Sequence, residues 1–470
     1  MYSTDKISTL ALVLALGMGL TGCSVGPDYH QPSVATPPAF KEAEGWSQAR
    51  PQDDLSKGPW WSLYQDSALD KLLSQVAVSN QNVAQYEANY RQAQALVQQA
   101  HASLFPSISG NAGLTRKGTA ESTGNTYTAG VATSSWELDL WGKIRRGLEE
   151  YQASAQASEA ELANITLSAQ SSLAQDYFQL RVLDARIALY GQSVQAYERY
   201  VTVMGNRYRA GTESRASLAQ AQTLLESTRA ASLDLQWQRA QLEHAIAVLT
   251  GQPPASFSLP AQPQLALHIP TPPATLPSQL LERRPDIAYA ERNMASANAA
   301  IGVAQAAYYP DLTLSASAGF ESSVLGDLIS LPSRTWSLGP ALSGTLLDFG
   351  ATGAQVKQAE AAYDASVASY RQTVLDAFAE VEDALVELAT LQRELAVQQR
   401  ASDAAKESAR VTLNQYKAGM IDYLDVATTQ NTSLSQQQSL LSLQANLQVA
   451  SVKLIVALGG HWQGLAAPAP

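Results

Sequence analysis

At 470 residues the chain is long enough for about three average domains, although an internal repeat overrides that count. Hydrophobic residues at 46%, charged residues at 16% and aromatics at 7% exclude both a disordered chain and a bundle of membrane helices, and fit a folded helical protein. The net charge of -11, with no Lys/Arg run and no aromatic-studded basic stripe, argues against a nucleic-acid partner.

Residues 1–22 combine a short head, in which Asp5 offsets Lys6, with an apolar run from Ile7 to Leu20. This is the layout of a secretory signal, too short to span a membrane. Cys23, the only cysteine, follows Leu20-Thr21-Gly22 where a bacterial lipoprotein signal peptidase cuts, so its thiol is the expected diacylglycerol site. The bland alternative is an ordinary signal with a chance cysteine behind it. Ser24 follows, where an aspartate would direct retention at the inner membrane. With Cys23 lipidated, no disulfide forms within the chain, and stability must come from packing and assembly. Residues 23–64 read as an extended strap, with six prolines between 25 and 60 and then Trp60-Trp61.

A first repeat, residues 65–250, reads as a helix over 65–104, a β-hairpin over 107–140, a long helix over 143–208 and a helix over 214–250. In the hairpin Ile108, Gly110, Ala112 and Leu114 alternate with Ser109, Asn111, Gly113 and Thr115, the period of two of a strand with lipid on one face and water on the other. A soluble half-buried sheet shows the same alternation. No proline interrupts the 66 residues from Lys143 to Tyr208, a helix of about 100 Å. Along it Leu173, Tyr177, Leu180, Leu183, Ile187, Tyr190, Val194, Tyr197, Val201, Met204 and Tyr208 step by threes and fours, a coiled-coil seam.

Residues 251–284 form a linker whose first part, 251–277, holds eight prolines and is neither helix nor central strand. A second repeat, residues 285–458, follows the first: a helix over 285–308, a hairpin over 311–348, a long helix over 351–416 and a helix over 422–458, then a tail from 459 to 470. Its strands set Leu312, Leu314, Ala316, Ala318 and Phe320 against Thr313, Ser315, Ser317 and Gly319, then Trp336, Leu338, Leu342 and Leu346 against Ser337, Ser343 and Thr345. Val374, Phe378, Val381, Leu385 and Leu388 echo the seam.

The halves match in order. Leu104-Phe105-Pro106 pairs with Tyr308-Tyr309-Pro310, and Trp141-Gly142 with Phe349-Gly350. Tyr208-Arg209-Ala210-Gly211 pairs with Tyr416-Lys417-Ala418-Gly419, and Leu249-Thr250-Gly251 with Leu458-Gly459-Gly460, at offsets of 204, 208, 208 and 209. Two hairpins supply four strands, too few to close a barrel, and an open edge in lipid leaves backbone groups unpaired at several kcal/mol each. Several chains must therefore share one barrel, two, three or more on this ground.

Further marks are Thr21-Gly22-Cys23-Ser24 with Pro27-Asp28-Tyr29, Arg283-Arg284-Pro285-Asp286-Ile287, Ala299 to Ala306, Tyr416-Lys417-Ala418-Gly419 and Tyr423-Leu424-Asp425. In these the chain resembles the outer-membrane factor family, the TolC-like exit ducts of tripartite efflux pumps, in its lipoprotein branch. The resemblance implies a mixed α/β membrane protein. Four strands per protomer enter a shared twelve-stranded β-barrel, coiled-coil helices form a twelve-helix α-barrel in a homotrimer, and a small equatorial domain surrounds it. It also implies a passive duct in the outer membrane, joined by a periplasmic adaptor (membrane fusion) protein to an inner-membrane transporter, RND type, with no cofactor. By the same resemblance Gly211 and Gly419 mark the turns where the adaptor docks, and Tyr416, Asp422 and Asp425 belong to a periplasmic gate, Asp425 as a ring of carboxylates. Ile421 stands where relatives carry a gate arginine and Thr428 where some carry a second aspartate, which puts an ion-pair latch in question. Helix capping is the bland reading of Asp422.

No metalloprotease HExxH, P-loop or GxSxG elbow is present, and His30, His101, His244, His268 and His461 are scattered, so no enzyme is read. A protein-secretion channel and a non-channel periplasmic coiled-coil lipoprotein are the competing readings.

Overall fold

The computed structural model describes residues 24–42, 59–120, 122–133, 136–265, 268–270 and 283–460. The signal segment and Cys23 lie outside the described residues, as do much of the linker and the tail from 461.

A short 3-10 turn at Trp60–Tyr64 leads into α1 (Ser67–Ser79) and α2 (Gln81–Ala102). The single helix expected over 65–104 is thus two, and Asn80 breaks it. The Asn80 backbone is extended, and its Oδ1 accepts from the amides of Asn82 and Val83 at 2.9 and 3.2 Å, capping α2. Three strands follow, β1 (Ile108–Gly118), β2 (Thr123–Thr133) and β3 (Trp136–Leu138), then α3 (Lys143–Arg209) and α4 (Arg215–Leu249). The second half contains α5 (Pro285–Ala306), β4 (Asp311–Ser322), β5 (Arg334–Ser343), α6 (Ala351–Lys417) and α7 (Tyr423–Ala457). Since β5 stops at Ser343, Thr345 and Leu346 fall beyond the strand expected to hold them.

The duplication is visible in lengths: α2 and α5 have 22 residues, α3 and α6 have 67, α4 and α7 have 35. Gly142 and Gly350, Gly211 and Gly419, and Gly251 and Gly459 all have positive φ at a constant spacing of 208. Leu249-Thr250-Gly251 therefore corresponds to Ala457-Leu458-Gly459, which corrects the offset of 209. The jump from 204 to 208 arises within the hairpins, whose connections differ in length, where insertions cost least. One contact is repeated outright. Asn80 Nδ2 donates to the Leu249 carbonyl at 2.8 Å, and Arg284 Nη1 donates to the Ala457 carbonyl at 3.0 Å, each satisfying the end of a 35-residue helix. The Arg-Pro-Asp block so acquires a structural task.

The chain forms two compact units, and neither repeat is a unit alone, since each unit takes segments from both. The first holds residues up to Val34, Ala88–Glu159 and Ala288–Gln372, including all five strands. The N-terminal strap is sewn into this unit. Val25 N–H donates to the Trp141 carbonyl, buried Arg146 donates to the carbonyls of Val25 and Gly26 and to Asp28, and Asn298 donates to Pro27. The Tyr29 hydroxyl meets Glu291.

The second unit holds Ala35–Glu87, Ala160–Ile287 and Thr373 onward. Trp60, Trp61, Tyr64, Leu69 and Leu73 pack on Leu173, Tyr177, Leu180 and Ile246, while Val381, Leu385 and Leu388 pack on Leu447, Ala450 and Leu454. The predicted seam is buried at Leu173, Tyr177, Leu180, Leu183, Tyr190, Tyr197 and Met204, but Tyr208 is exposed and ends it one step early. Asp184 joins Arg181 and Arg239 at 3.1 and 2.7 Å and accepts from the Gln262 amide, pinning the extended linker to α3 and α4. By length and composition α7 could cross a membrane, yet Leu447, Ala450, Val452 and Leu454 on it are buried in protein.

Candidate functional site

Cross-strand register decides what the sheet presents. The strands run in the order β1, β2, β4, β5, all antiparallel. β3 continues β2 along β4 after a one-residue slip: Ala132 faces Ser317, whereas Trp136 faces Leu314. Residues directly opposite share a face. Ile108, Ala112 and Leu114 therefore lie with Tyr127, Ala129 and Val131, with Leu312, Leu314, Ala316, Ala318 and Phe320, and with Trp336, Leu338, Pro340 and Leu342. The other face carries Ser109, Asn111, Thr115, Thr126, Thr128, Thr313, Ser315, Ser317, Ser337 and Ser343. Most of the apolar residues face an apolar partner, as Ala112 faces Ala129, Ala129 faces Phe320, Ala316 faces Leu338 and Leu312 faces Leu342. Among the described residues nothing covers them: Trp336, Leu338 and Leu342 are 70%, 64% and 68% exposed.

Tyr127, Phe320 and Trp336 stand toward the hairpin-connection end of this face, and Trp136 toward the other, the placement of interfacial aromatics. Trp141 stacks on Tyr309 with centroids 4.7 Å apart, and its Nε1 donates to the Pro310 carbonyl at 2.9 Å. Gly130 faces Gly319 in the middle of the sheet, and a Cβ on Gly130 would lie 2.8 Å from the Ala318 carbonyl, so small residues let β2 and β4 pair closely. The sequence showed three of these strands. The second, β2, was missed as an alternating segment because its apolar side is only Tyr127, Ala129 and Val131.

At the helix turns the predicted residues divide. Gly211 and Gly419 close α3 and α6 with φ of 75° and 77°, and the next residues, Thr212 and Met420, donate to the carbonyls of Arg207 and Gln415 at 2.9 and 3.0 Å. Open space surrounds both glycines, so backbone conformation rather than crowding demands them. After the first turn Ser214 caps α4 by accepting from the Ser217 amide at 3.0 Å. Asp422 occupies the same place before α7 but makes no capping bond with its side chain. Asp422 and Asp425 are exposed, and among the described residues neither carboxylate has a hydrogen-bond or ion-pair partner.

Tyr416 is brought into a network. Its hydroxyl accepts from Arg207 Nη1 at 2.8 Å and donates to Glu213 Oε2 at 2.9 Å, while its ring packs with Met204, Ala221, Tyr423 and Val426. Tyr416 is 8% exposed, against 42% for its repeat counterpart Tyr208. Arg207 and Glu213 are partners of Tyr416 that sequence reasoning missed. The available signal was the charge on either side of the Tyr208-Arg209-Ala210-Gly211 turn, which its counterpart Tyr416-Lys417-Ala418-Gly419, flanked by Gln415 and Ile421, lacks. Ile421 joins this cluster through its apolar side chain.

Burial, then the hydrogen bond to Glu213, raises the Tyr416 phenol above its ordinary value. Burial alone would raise Glu213 as well, but hydrogen bonds from Ser217, Tyr416 and the Ser214 amide, with the Arg207 charge, hold its carboxyl below the usual range. A lowered carboxyl contributes stability above its unfolded value and loses it as pH falls through the folded one, so this contact persists at neutral pH and dissolves in acid. Tyr416→Phe keeps the ring and removes both bonds; amide exchange over residues 207–213 should quicken about five- to tenfold, and Tyr208→Phe should leave it unchanged.

An uncovered apolar sheet face between two open strand edges, attached to helices of 67 residues, defines a subunit of an oligomeric membrane channel. Residues 72–252 and 276–460 match the family model described as outer membrane efflux protein. The chain belongs to that family and is an efflux channel protein of the outer membrane. It is 28% identical over 461 residues to the cation efflux system protein CusC of Escherichia coli K12, covering 96% of this chain and 98% of that one. It is 30% identical to the toluene efflux pump outer membrane protein TtgI of Pseudomonas putida, covering 97% and 99%. The solved structure of the outer-membrane channel OprN, 29% identical, superposes with a TM-score of 0.86 over 94% of this chain and all of that one.

Proposed function

We propose that this chain is the passive exit duct of a tripartite pump, with three copies sharing one barrel and releasing small toxic compounds to the exterior. The observation that carries this reading is the four-stranded sheet with one apolar face and unpaired outer edges on β1 and β5. Three copies supply twelve strands, and pairing β1 of one with β5 of the next leaves no edge in lipid. The α3, α4, α6 and α7 helices of the same copies make the twelve-helix tube. Lipid on Cys23 adds a second anchor to the barrel. The energy comes from an inner-membrane transporter of the RND type through a periplasmic adaptor, which meshes at the turns of Gly211 and Gly419. The chain itself performs no catalysis.

In this reading Asp425, with Asp422 beside it, forms a ring of like charges at the aperture, repelling one another and drawing cations. Their exposure and lack of partners support it, and the Tyr416, Arg207 and Glu213 contacts hold the turns that frame it. Asp425→Ala should raise single-channel conductance in planar bilayers, reduce cation preference and increase leak of large antibiotics in cells. Unchanged conductance and unchanged ion preference would remove Asp425 from the gate while leaving the channel reading in place.

A further inference from the structure

Inside the second unit the guanidinium groups of Arg181, Arg239 and Arg284 each meet carboxylates and backbone carbonyls, although Arg181 Nε is itself buried without a partner. Arg186 on α3 is different. It is half-buried, its Nε is shut off from solvent with no hydrogen-bond partner, and among the described residues it forms no ion pair. It lines a cavity of about 430 Å³ between α3, α4 and α7. The carboxylate that acts on it is Asp234, itself exposed and already accepting from Gln238 Nε2 at 2.7 Å. Burial pushes the Arg186 guanidinium below its ordinary value, and its interactions with Tyr190 and Asp234 only partly oppose this. A cation desolvated without an adjacent anion is costly, and the cost falls when a charged acceptor enters.

The rest of the lining names the acceptor's chemistry. Val182 and Leu242 offer apolar walls, and Gln179, Gln241 and Asn446 offer amide groups, with no acidic side chain in the lining. The volume lies within the roughly 300–1,000 Å³ typical of small-molecule sites. Pro260 and Gln262 of the linker are fastened to Arg181 and Asp184, on the side of α3 away from positions 179, 182, 183 and 186, and among the described residues no linker residue lines the cavity.

We propose that this cavity binds small aromatic carboxylates, the ring between Val182 and Leu242 and the carboxylate against Arg186. The site is built within one chain and is read by binding alone, so its failure is separable from failure of the channel reading.

The test is calorimetric titration of the detergent-solubilised full chain with 2-naphthoate and with its neutral shape match, 2-naphthamide. Saturable binding of naphthoate at one site per chain is expected. Arg186→Gln should weaken naphthoate about tenfold or more and leave naphthamide alone, whereas Arg186→Lys should recover part of the loss. Val182→Trp, which fills the cavity, should abolish binding of both ligands. Arg215→Gln, on the exposed first turn of α4, controls for net charge and should change neither. Thermal melts that match the parent protein confirm that each variant is folded. Absence of saturable naphthoate binding, or a naphthoate affinity in Arg186→Gln or in Val182→Trp equal to that of the parent protein, overturns the proposal.

Discussion

Leu338→Arg is expected to keep the protein out of the outer membrane as a stable oligomer, while Ser337→Arg, one residue away, leaves it there. Leu338 faces Ala316 on the apolar side of the sheet and Ser337 faces Ser317 on the polar side, where their hydroxyls meet at 2.7 Å. Arginine on the lipid face of a barrel costs about 2–4 kcal/mol near the midplane, and every copy in the assembly incurs it. On the polar face the guanidinium stays hydrated, and the loss is one exposed hydroxyl contact. Fractionation of membranes and electrophoresis without heating would read the difference. Equal retention of the two variants would mean that the face assigned to lipid is not in lipid, and the barrel argument would fall.

The second large effect lies where the two repeats use the same joint. Gly251, with φ of 69°, follows α4 and presses on the end of α1: a Cβ there would lie 2.1 Å from the Ser79 carbonyl oxygen. Its counterpart Gly459, with φ of 93°, would place a Cβ 2.3 Å from the Arg283 carbonyl oxygen. Alanine at either position adds left-handed strain of about 1–2 kcal/mol to a backbone clash that only a shift of the joint relieves. A total above about 3 kcal/mol is expected, lowering the melting temperature by roughly 5 °C or more. Gly211→Ala is the control, since φ is 75° but nothing lies within 4 Å, and it should cost only about 1 kcal/mol. Similar melting temperatures for Gly251→Ala and Gly211→Ala would show that the joint yields.

These cases mark how far local pattern reaches. Alternation in Ile108–Leu114 and in Leu312–Phe320 exposed the lipid face because the period of two is a property of the strand alone. The weak alternation of β2 hid it, and only its pairing with β1 and β4 aligned Tyr127, Ala129 and Val131 with the rest. Likewise the helix expected over 65–104 contains no proline after residue 59, and helix continuity was the natural reading. Asn80 broke it because its amide has partners on both sides: the amides of α2 ahead and the Leu249 carbonyl 169 residues away. No local reading could weigh that second partner. At the turns Gly211, Gly419 and Tyr416 were legible as repeats, whereas Arg207 and Glu213 became partners of Tyr416 only when α3 and α6 ended side by side.

The sequence by itself determined the duplication, the uninterrupted long helices, the strand faces and, from four strands being too few, the need for more than one chain. Those follow from periodicity, proline placement and backbone hydrogen-bond demand, which act along the chain. The tertiary structure decided which residues meet: the register that unites four apolar strand faces, the joints at Gly251 and Gly459, the Tyr416 network, and the cavity lined by Arg186, which has no ion-pair partner among the described residues. Contacts of that kind depend on residues far apart in sequence, and their energies exist only once the packing brings them together.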